Sequence, residues 1–507
     1  MKRILFFTLF FFLTIPEISA QINTSLKRGN PEAEGISSKA ILNFLERAEK
    51  EIDALHSYMI VKNGKVVSEG WWSPYNPHSP HQLYSLSKGF ISTAIGFAIQ
   101  EGLFSIDDIV ISFFPDEIPE NPNWNLKNLR IRDLLTMSTG HIESALSKKD
   151  RQKENWVKAF LAKKIELMPG SYGKYNSPAS YMLSAIIQKT TGQTVVDYLK
   201  NRFFIPLGIQ SPEWDTCPRG INIDFGMHLN TEDIAKFGQF YLKEGMWNNE
   251  QLLSKEWIHM ATSKQVSNGS LPDNDFTQGF GFQFWMSRHN SYRADGMYSQ
   301  YCLILPDHEM VIAITSGAHD MQKVLNVIWE TILPPFENKK VVEDSNSISL
   351  LRKKNNSLSL KYVKSDIEID RFKKNFSFQK NTVGVKSIIF NFNKNKHQIK
   401  IEMDDGQESI IIGNGEFLKS ELQNHLPYTK KNGKGIVSYG ISEDKLRKIS
   451  TSGGWINNNE YKMISFLYET TTRVVYNFIF EGKKLIWKTF VDHALYSSNE
   501  IQILKSI

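Results

Sequence analysis

An apolar helical segment at residues 83–103 constrains the fold of this chain more than any other feature of its sequence. Its apolar residues are distributed all round the helix: Leu86, Phe90, Ile91, Ala94, Ile95, Phe97, Ala98 and Ile99. A helix that is apolar on every side has no face for water and belongs in the centre of a domain. Two polar residues at its start, Ser85 and Lys88, therefore need an explanation of their own.

Ser85 and Lys88 are three residues apart, so their side chains share one face of the predicted helix and can meet. Burial in an apolar helix disfavours the charged lysine and lowers its pKa, which predicts a neutral amine that acts as a base. A serine hydroxyl becomes a useful nucleophile beside such a base. Free N–H groups at the helix N-terminus favour negative charge on a substrate. The alternative is a capping serine followed by a lysine that extends to solvent.

Strand-like segments stand at both ends of the region that contains this helix. Residues 58–72 hold two β-type runs around Asn63-Gly64, a strong hairpin signal, and residues 276–316 return to strands. Helical patterns alternate with loops between residues 105 and 260. This order predicts one sheet built from both ends of the region, with the helical middle as an insert over one side. We expect the active site in the crevice between sheet and insert.

The rest of the chain predicts a second unit. Residues 21–336 form the first unit, and residues 337–365 contain Lys- and Asn-rich runs typical of a flexible linker. Residues 366–507 hold short alternating runs separated by turns, which predict a C-terminal, mostly β domain, either a sandwich or a small barrel. We expect a chain that ends near Pro335 to fold and act without the second unit.

Residues 1–20 have the layout of a cleavable secretory signal. Lys2 and Arg3 precede an apolar run, and Ser19-Ala20 supply small residues at its end. The run is shorter than the roughly 20 residues that cross a bilayer, and no second candidate follows. The sequence predicts a signal peptide cleaved near Ala20, no transmembrane segment, and a periplasmic or secreted protein.

Composition indicates which partners to expect. Cys217 and Cys302 are interpreted as buried thiols, with a disulfide between them left open. The 12 histidines are scattered, so we expect no metal site. The net charge is +6, and residues 341–507 carry 26 Lys and Arg against 18 Asp and Glu. That surplus favours a polyanion such as an acidic polysaccharide; the alternative is a solvated lysine-rich surface. We expect no nucleic-acid partner.

Three motifs follow one another in the first unit. They are Tyr84-Ser85-Leu86-Ser87-Lys88, Tyr175-Asn176-Ser177 and Ala294-Asp295-Gly296. Between the first two, residues 131–140 are similar to an "LLTHTSG" segment, with Met137 where histidine is common. In these motifs, residues 30–335 resemble the serine β-lactamase and penicillin-binding-protein-like hydrolases. The resemblance is to the class C branch, which includes esterases and 6-aminohexanoate-dimer-hydrolase-like amidases.

The resemblance implies a serine-β-lactamase-like fold of the α/β (α+β) class, in which an antiparallel sheet is flanked by helices with a helical insert. It also implies a role for each motif. Ser85 would be the nucleophile, with Lys88 as its base and Tyr175 shuttling a proton beside it. The backbone N–H groups of Ser85 and Met297 would form the oxyanion hole. No cofactor is implied. Substrate contacts would come from three residues of the second and third motifs: Ser177, Asp295 and Gly296.

Two departures from the family pattern bear on the substrate. Ser177 stands where an asparagine usually grips the substrate amide, and Ala294 stands where a cation usually binds the substrate carboxylate. Loss of both contacts should weaken recognition of a β-lactam or a D-alanyl terminus. Arg293 is adjacent, but on a strand its side chain would point to the opposite face. Asp295 would favour a substrate with hydroxyls or an amine.

The sequence therefore predicts an exported serine hydrolase that cleaves an ester or amide bond through an acyl-enzyme. Its substrate would be a small-molecule or sugar-borne acyl group. A β-lactamase or D-alanyl-D-alanine peptidase is the enzymatic alternative. A penicillin-binding or sensing module that acylates slowly or not at all is the alternative from another class.

Overall fold

The computed structural model describes residues 25–210, 212–334, 344–367, 371–394, 396–404, 406–422, 430–431, 434–435, 447–492 and 501–507. The signal peptide predicted at residues 1–20 lies outside these ranges. Within them, no helix combines the length and the apolar character needed to cross a membrane.

A seven-stranded sheet forms the centre of the first unit. The strands of this unit are β1 (Lys27–Arg28), β2 (Leu55–Lys62), β3 (Lys65–Trp71), β4 (His81–Gln82), β5 (Glu213–Thr216), β6 (Asn222–Leu229), β7 (Met246–Trp247), β8 (Glu250–Gln251), β9 (Trp285–Ser287), β10 (Ser291–Gly296), β11 (Gln300–Leu305) and β12 (Met310–Ser316). The sheet order is β1-β3-β2-β12-β11-β10-β9, and only β1 and β3 are parallel neighbours. The prediction of an antiparallel sheet from both ends of the unit is confirmed.

Helices cover both faces of this sheet. They are α1 (Ser38–Glu51), α2 (Ser87–Gln100), α3 (Trp124–Asn128), α4 (Ile131–Leu135), α5 (Trp156–Leu161), α6 (Ser177–Thr191), α7 (Val195–Leu199), α8 (Thr231–Leu242), α9 (Lys255–Ala261), α10 (Met321–Ile332) and α11 (Ser345–Asn355). The apolar segment predicted as one helix begins with a 3-10 turn at Tyr84–Leu86 and continues as α2. The first twelve residues of α2 are buried, as a helix apolar on every side requires.

The sheet separates two hydrophobic cores, and β12 shows how one strand serves both. Val311 and Ala313 pack into the core that contains α2, while Ile312 and Ile314 pack into the core beneath α1 and α10. Successive side chains on a strand point to opposite faces. A strand that is covered on both sides therefore reads as a continuous apolar run, which is the sequence of β12.

The segment predicted as a flexible linker is ordered between residues 344 and 360, and that prediction is wrong there. Helix α11 buries Leu351 in the core beneath α1, where Leu358 and Leu360 also lie. The Ser73 N–H donates to the Leu358 carbonyl (3.1 Å), and the Leu360 N–H donates to the Ser73 carbonyl (2.9 Å). Lys353 and Lys354 lie on the outer face of this helix, so composition alone concealed its buried side.

The C-terminal domain consists mainly of two antiparallel sheets around a common core. Its strands are β13 (Arg371–Ser377), β14 (Val385–Asn393), β15 (Lys396–Met403), β16 (Gly406–Ile412), β17 (Leu418–Leu422), β18 (Lys430–Lys431), β19 (Lys434–Gly435), β20 (Arg447–Asn457), β21 (Glu460–Leu467), β22 (Arg473–Glu481), β23 (Lys484–Asp492) and β24 (Gln502–Lys505). One sheet runs β13-β14-β15-β16 and the other β17-β20-β21-β22-β23-β24. Phe390 from the first and Phe478 from the second meet at 5.0 Å between ring centroids, an arrangement typical of a sandwich.

The turn between β21 and β22 joins the two domains beside the start of α2. The Gln82 N–H donates to the Glu469 carbonyl (2.9 Å), and Tyr75 Oη donates to the Thr470 carbonyl (2.9 Å). Tyr84 Oη and Thr471 Oγ1 share a hydrogen bond at 2.8 Å. These contacts oppose the expectation of a first unit that acts alone, because they attach the C-terminal domain to the residue before Ser85.

Candidate active site

Ser85 lies in a tight turn that links β4 to α2. The Leu83 N–H donates to the Met227 carbonyl (2.8 Å), which fixes the entry to the turn. Tyr84 has a left-handed backbone conformation (φ 49°), uncommon for a residue with a large side chain. Ser87 Oγ donates to the Tyr84 carbonyl (2.6 Å) and closes the turn from the helix side. The strained residue beside Ser85 is therefore held by several bonds.

Lys88 lies one helical turn after Ser85 and is almost fully buried. Its Nζ donates to Ser85 Oγ (2.9 Å), to the Asp224 carbonyl (3.1 Å) and to Asp224 Oδ2 (2.9 Å). The alternative in which Lys88 extends to solvent is excluded by this burial. The predicted contact between Ser85 and Lys88 is present.

The ionisation state expected for Lys88 is different in the structure. Burial by itself lowers the pKa of Lys88, as the sequence argument assumed. The Asp224 carboxylate, together with Tyr175, outweighs burial and raises the pKa of Lys88 above its usual value. The prediction of a neutral Lys88 is therefore wrong, because a buried carboxylate was missing from the argument.

Asp224 is the site residue that sequence reasoning missed. It lies on β6 with its side chain fully enclosed, and Ser177 Oγ donates a short hydrogen bond to the same Oδ2 that contacts Lys88. In the sequence, Asn222 and Asp224 alternate with apolar residues, which usually indicates a strand with one solvated face. All eight residues of β6 are buried, so this strand has no solvated face. An aspartate on such a strand is the signal that could have identified Asp224.

Tyr175 lies in the loop before α6 and contacts the nucleophile directly. Its Oη donates to Ser85 Oγ at 2.7 Å. Its ring stacks on Trp285 with centroids 5.5 Å apart and planes 21° from parallel. The next residue is anchored by an Asn176 N–H contact with Met137 Sδ (3.4 Å). The side chain is 41% exposed, so it borders both the nucleophile and solvent.

The third motif ends where β10 touches the nucleophile turn. A Cβ placed on Gly296 would lie 2.0 Å from the Leu83 carbonyl oxygen, so only glycine allows this approach. Met297 follows directly, and its side chain is 45% exposed. This is the position from which its N–H is expected to serve an oxyanion hole. Ala294 faces α2, close to Gly89, and presents no cation there.

Two residues predicted to contact substrate are engaged within the protein. Arg293 Nε donates to Asp295 Oδ2 (2.9 Å), and both side chains are buried. Asp295 is therefore already paired, and its predicted contact with a substrate amine or hydroxyl has no support in this geometry. The Ser177 hydroxyl is likewise bonded to Asp224. Arg293 lies on the face opposite Ala294, as strand alternation predicted.

The described residues show no group of three or more His, Cys, Asp and Glu side chains that could hold a metal ion. Cys217 and Cys302 are both buried free thiols, which answers the pairing question left open by the sequence. Tyr181 Oη lies 3.3 Å from Cys217 Sγ. The polar side chains in contact at the site are Ser85, Lys88, Tyr175 and Asp224.

The family is decided by a match over more than half of the sequence. A sequence model of the beta-lactamase family matches residues 48–327, which include Ser85, Lys88, Tyr175, Asp224 and Gly296. The chain belongs to the beta-lactamase family. It is a serine hydrolase with a β-lactamase-like fold and additional C-terminal β-sheets.

Three similar proteins share less than 30% of their aligned residues with this chain. An uncharacterised protein of Alkalihalophilus pseudofirmus is 24% identical over 315 residues, which cover 54% of this chain and 86% of that protein. Protein flp of Staphylococcus aureus is 27% identical over 164 residues, 30% of this chain and 33% of flp, so only a third of flp is matched. The solved D-amino acid amidase from Ochrobactrum anthropi is 16% identical with a TM-score of 0.45, and covers 57% of this chain and 98% of its own.

Proposed function

We propose that this protein hydrolyses an ester or amide bond through an acyl-enzyme formed on Ser85. The observation that supports this most directly is the arrangement around Ser85 Oγ, which lies 2.9 Å from Lys88 Nζ and 2.7 Å from Tyr175 Oη. Both distances are within direct proton-transfer reach of a nucleophile. In this proposal Ser85 attacks the carbonyl, and its proton passes to the leaving group through the hydrogen-bonded group that Ser85 forms with Lys88 and Tyr175.

The substrate class that we propose is an uncharged acyl ester or amide, small or carried on a sugar. Ala294 offers no cation for a substrate carboxylate, and Arg293 is buried on the other face of β10. Ser177 is engaged with Asp224 instead of offering an amide. A β-lactamase or a D-alanyl peptidase would need both contacts, so these geometries favour the esterase or amidase alternative.

Secretion is part of the proposal and rests on the sequence of residues 1–20. We propose that the protein acts outside the cytoplasm after cleavage near Ala20. N-terminal sequencing of the protein recovered from the culture medium or periplasm should begin at residue 21. An intact Met1 in every fraction would contradict export.

The hydrolase proposal is tested with Ser85→Ala. The variant should lose at least about 10³-fold in kcat/KM on a short-chain nitrophenyl ester, because it removes the nucleophile. Ser92→Ala is the matched control, since it removes a buried hydroxyl two turns further along the same helix. Parallel assays with nitrocefin and a D-alanyl-D-alanine peptide distinguish the enzymatic alternatives. Stoichiometric acylation of Ser85 without release of the acyl group would support the sensing module. Retained activity in folded Ser85→Ala would exclude Ser85 as the nucleophile.

A further inference from the structure

The two residues expected to supply the oxyanion hole are each flanked by a tyrosine in a left-handed backbone conformation. Tyr84 precedes Ser85 with a φ of 49°, and Tyr298 follows Met297 with a φ of 63°. Residues with large side chains seldom adopt this conformation, which persists where the surrounding structure holds it firmly. The contacts of these two tyrosines therefore fix the turns that carry the two N–H groups.

The two tyrosines contact each other directly. Their ring centroids are 5.8 Å apart and their planes meet at 65°, a geometry close to the edge-to-face arrangement that aromatic pairs favour. Gly296 approaches the Leu83 carbonyl so closely that no Cβ fits between them. The nucleophile turn and the turn between β10 and β11 thus meet both at the backbone and through these rings. Movement of either turn would change the spacing of two donors that must share one substrate oxygen.

The C-terminal domain reaches both tyrosines, one directly and one through a histidine. In the turn between β21 and β22, Thr471 Oγ1 shares a 2.8 Å hydrogen bond with Tyr84 Oη. At the end of β23, Asp492 Oδ1 lies 3.3 Å from His319 Nε2. The His319 ring in turn meets the Tyr298 ring at 89°, with centroids 5.7 Å apart. One domain therefore supports both sides of the expected oxyanion hole.

We propose that Tyr84 and Tyr298 are positioning residues of the oxyanion hole, held in their working arrangement by the C-terminal domain. Thr471 and Asp492 are the residues through which that domain acts. This inference rests on the hydrolase function proposed above. The Ser85 N–H belongs to the peptide group that it shares with Tyr84, so a rotation of the Tyr84 backbone misdirects this donor. Loss of a whole oxyanion donor costs about 10²–10³-fold in kcat, and a misdirected donor should cost about tenfold.

Thr471→Val tests the contact from the C-terminal domain, because it replaces the hydroxyl with a methyl group at nearly constant volume. On a short-chain nitrophenyl ester, kcat should fall about tenfold while KM stays within about twofold. Thr471→Ser keeps the hydroxyl and should retain kcat to within about threefold. Thr451→Val is the matched control, since Thr451 is equally buried in this domain and shares a 3.0 Å hydroxyl–hydroxyl bond with Ser465. Equal losses of kcat in the two valine variants would overturn the proposal.

A second substrate distinguishes a disturbed oxyanion hole from disturbed proton transfer. In the matching thionoester, sulfur replaces the carbonyl oxygen and accepts hydrogen bonds only weakly. Thr471→Val should therefore lose about tenfold in kcat/KM on the oxygen ester but no more than about threefold on the thionoester. Equal losses on the two substrates, at matched folding, would overturn the proposal.

Tyr84→Phe covers the case in which Thr471→Val fails to fold. It breaks the same hydrogen bond from the first unit and leaves the C-terminal domain unchanged. Its loss of kcat and its altered preference between ester and thionoester should match those of Thr471→Val. The double variant should lose no more than either single variant, because both remove one bond. Additive losses would overturn the proposal.

Tyr298→Ala tests the other side of the oxyanion hole. It removes the ring and should lower kcat on the ester about tenfold, whereas Tyr298→Phe keeps the ring and should stay within about threefold. Asp492→Asn should lower kcat by only about threefold, because His319 Nδ1 also lies 2.8 Å from Asp53 Oδ2. Native kcat in Tyr298→Ala or in Asp492→Asn would overturn the role assigned to that residue.

The outcomes separate this inference from the proposed function. Native protein that hydrolyses neither substrate and shows no acylation of Ser85 would refute the hydrolase function, and the inference would fall with it. Hydrolysis that is lost in Ser85→Ala but unaffected in the Tyr84 and Thr471 variants would reject the inference alone.

Discussion

At the scale of single residues, Lys88 and Asp224 depend on each other for their burial. Lys88 has 2% of its side-chain surface exposed and Asp224 has none. Removal of one partner of such a pair leaves an uncompensated charge inside the protein, which is far more damaging than the loss of an exposed ion pair. The same contact therefore affects both the reaction and the stability of the folded state.

Lys88→Met should reduce both activity and stability. It keeps the approximate length of the side chain but leaves Asp224 buried without a cation, so the free energy of unfolding should fall by about 3–5 kcal/mol. Addition of Asp224→Asn should restore part of that loss, because the amide carries no charge. Urea unfolding of the two single variants and the double variant measures this coupling. Independent, additive effects would contradict a direct ion pair.

The sequence identified the local part of this site and missed the distant part. Ser85 and Lys88 are close in sequence and on one helical turn, so spacing alone brought them together. Tyr175 was located by its resemblance to a known motif. Asp224 comes from a strand 136 positions after Lys88, and no local pattern reports which strand will lie beside a helix. The wrong pKa direction for Lys88 has the same origin.

At the scale of elements, the site depends on how closely the end of β10 approaches the turn before α2. Gly296→Ala should disrupt this contact, because a Cβ would overlap the Leu83 carbonyl. We expect a loss of at least about 2 kcal/mol in unfolding free energy, as for other overpacked sites, and at least a hundredfold loss in kcat. Gly102→Ala is the control: Gly102 has a left-handed backbone (φ 71°) with open space around its Cβ position. Equal losses of unfolding free energy and of kcat in the two variants would contradict the close approach of Gly296 to the Leu83 carbonyl.

A second element-scale feature, the buried pair His56 and His81, makes the contact between domains sensitive to acid. His81 Nδ1 donates to the Gln82 carbonyl (2.9 Å), so its Nε2 accepts from His56 Nδ1 (3.0 Å). Tyr75, which bonds to Thr470, stacks on His56 with centroids 3.8 Å apart. Burial lowers the pKa of His81 from 6.5 to about 3. A proton on His81 would place two N–H groups against each other.

The sign of the acid effect follows from that pKa. The unfolded chain binds the His81 proton near pH 6.5, well before the folded protein does, so stability present above that pH is lost as the pH falls towards about 3. Between pH 7.5 and 5 the loss due to His81 should be about 2 kcal/mol, at about 1.4 kcal/mol per pH unit. The His81→Asn variant has no titrating group at this position. The fall in its unfolding free energy between pH 7.5 and pH 5, measured with urea, should therefore be correspondingly smaller. An unchanged pH dependence would contradict a neutral, buried His81.

At the scale of the whole molecule, the two domains share one hydrophobic core. Phe466 and Tyr468 of the C-terminal domain lie in the cluster that contains Leu351, Leu358 and Tyr75. The sequence predicted the content of each domain well, since alternation and turn signals are local. It did not predict this contact, because an apolar residue at a strand end gives no indication of which surface it will meet.

Truncation tests the dependence of the site on the C-terminal domain. A chain that ends at residue 343 loses α11 as well as the β domain, and we expect it to unfold or to lose at least a hundredfold in small-ester hydrolysis. A chain that ends at residue 365 keeps Leu351 and Leu358 and should fold better, but it still lacks the Thr471 contact with Tyr84. Thermal melts and ester assays on both chains separate the contribution of residues 344–365 from that of the C-terminal β domain. Full activity at native-like stability in the shorter chain would show that the domains act independently.

The hydrogen bond between Tyr84 and Thr471 joins residues 387 positions apart, and it lies next to the nucleophile. A ribosome makes the chain from its N-terminus, so Ser85 is synthesised long before the residue that holds its neighbour in place. The turn therefore gains this bond only after residue 471 has been synthesised. We expect a nascent or prematurely terminated chain to carry every residue of the reaction without the bond that holds Tyr84 in place, so that hydrolysis begins only once the C-terminal domain has formed.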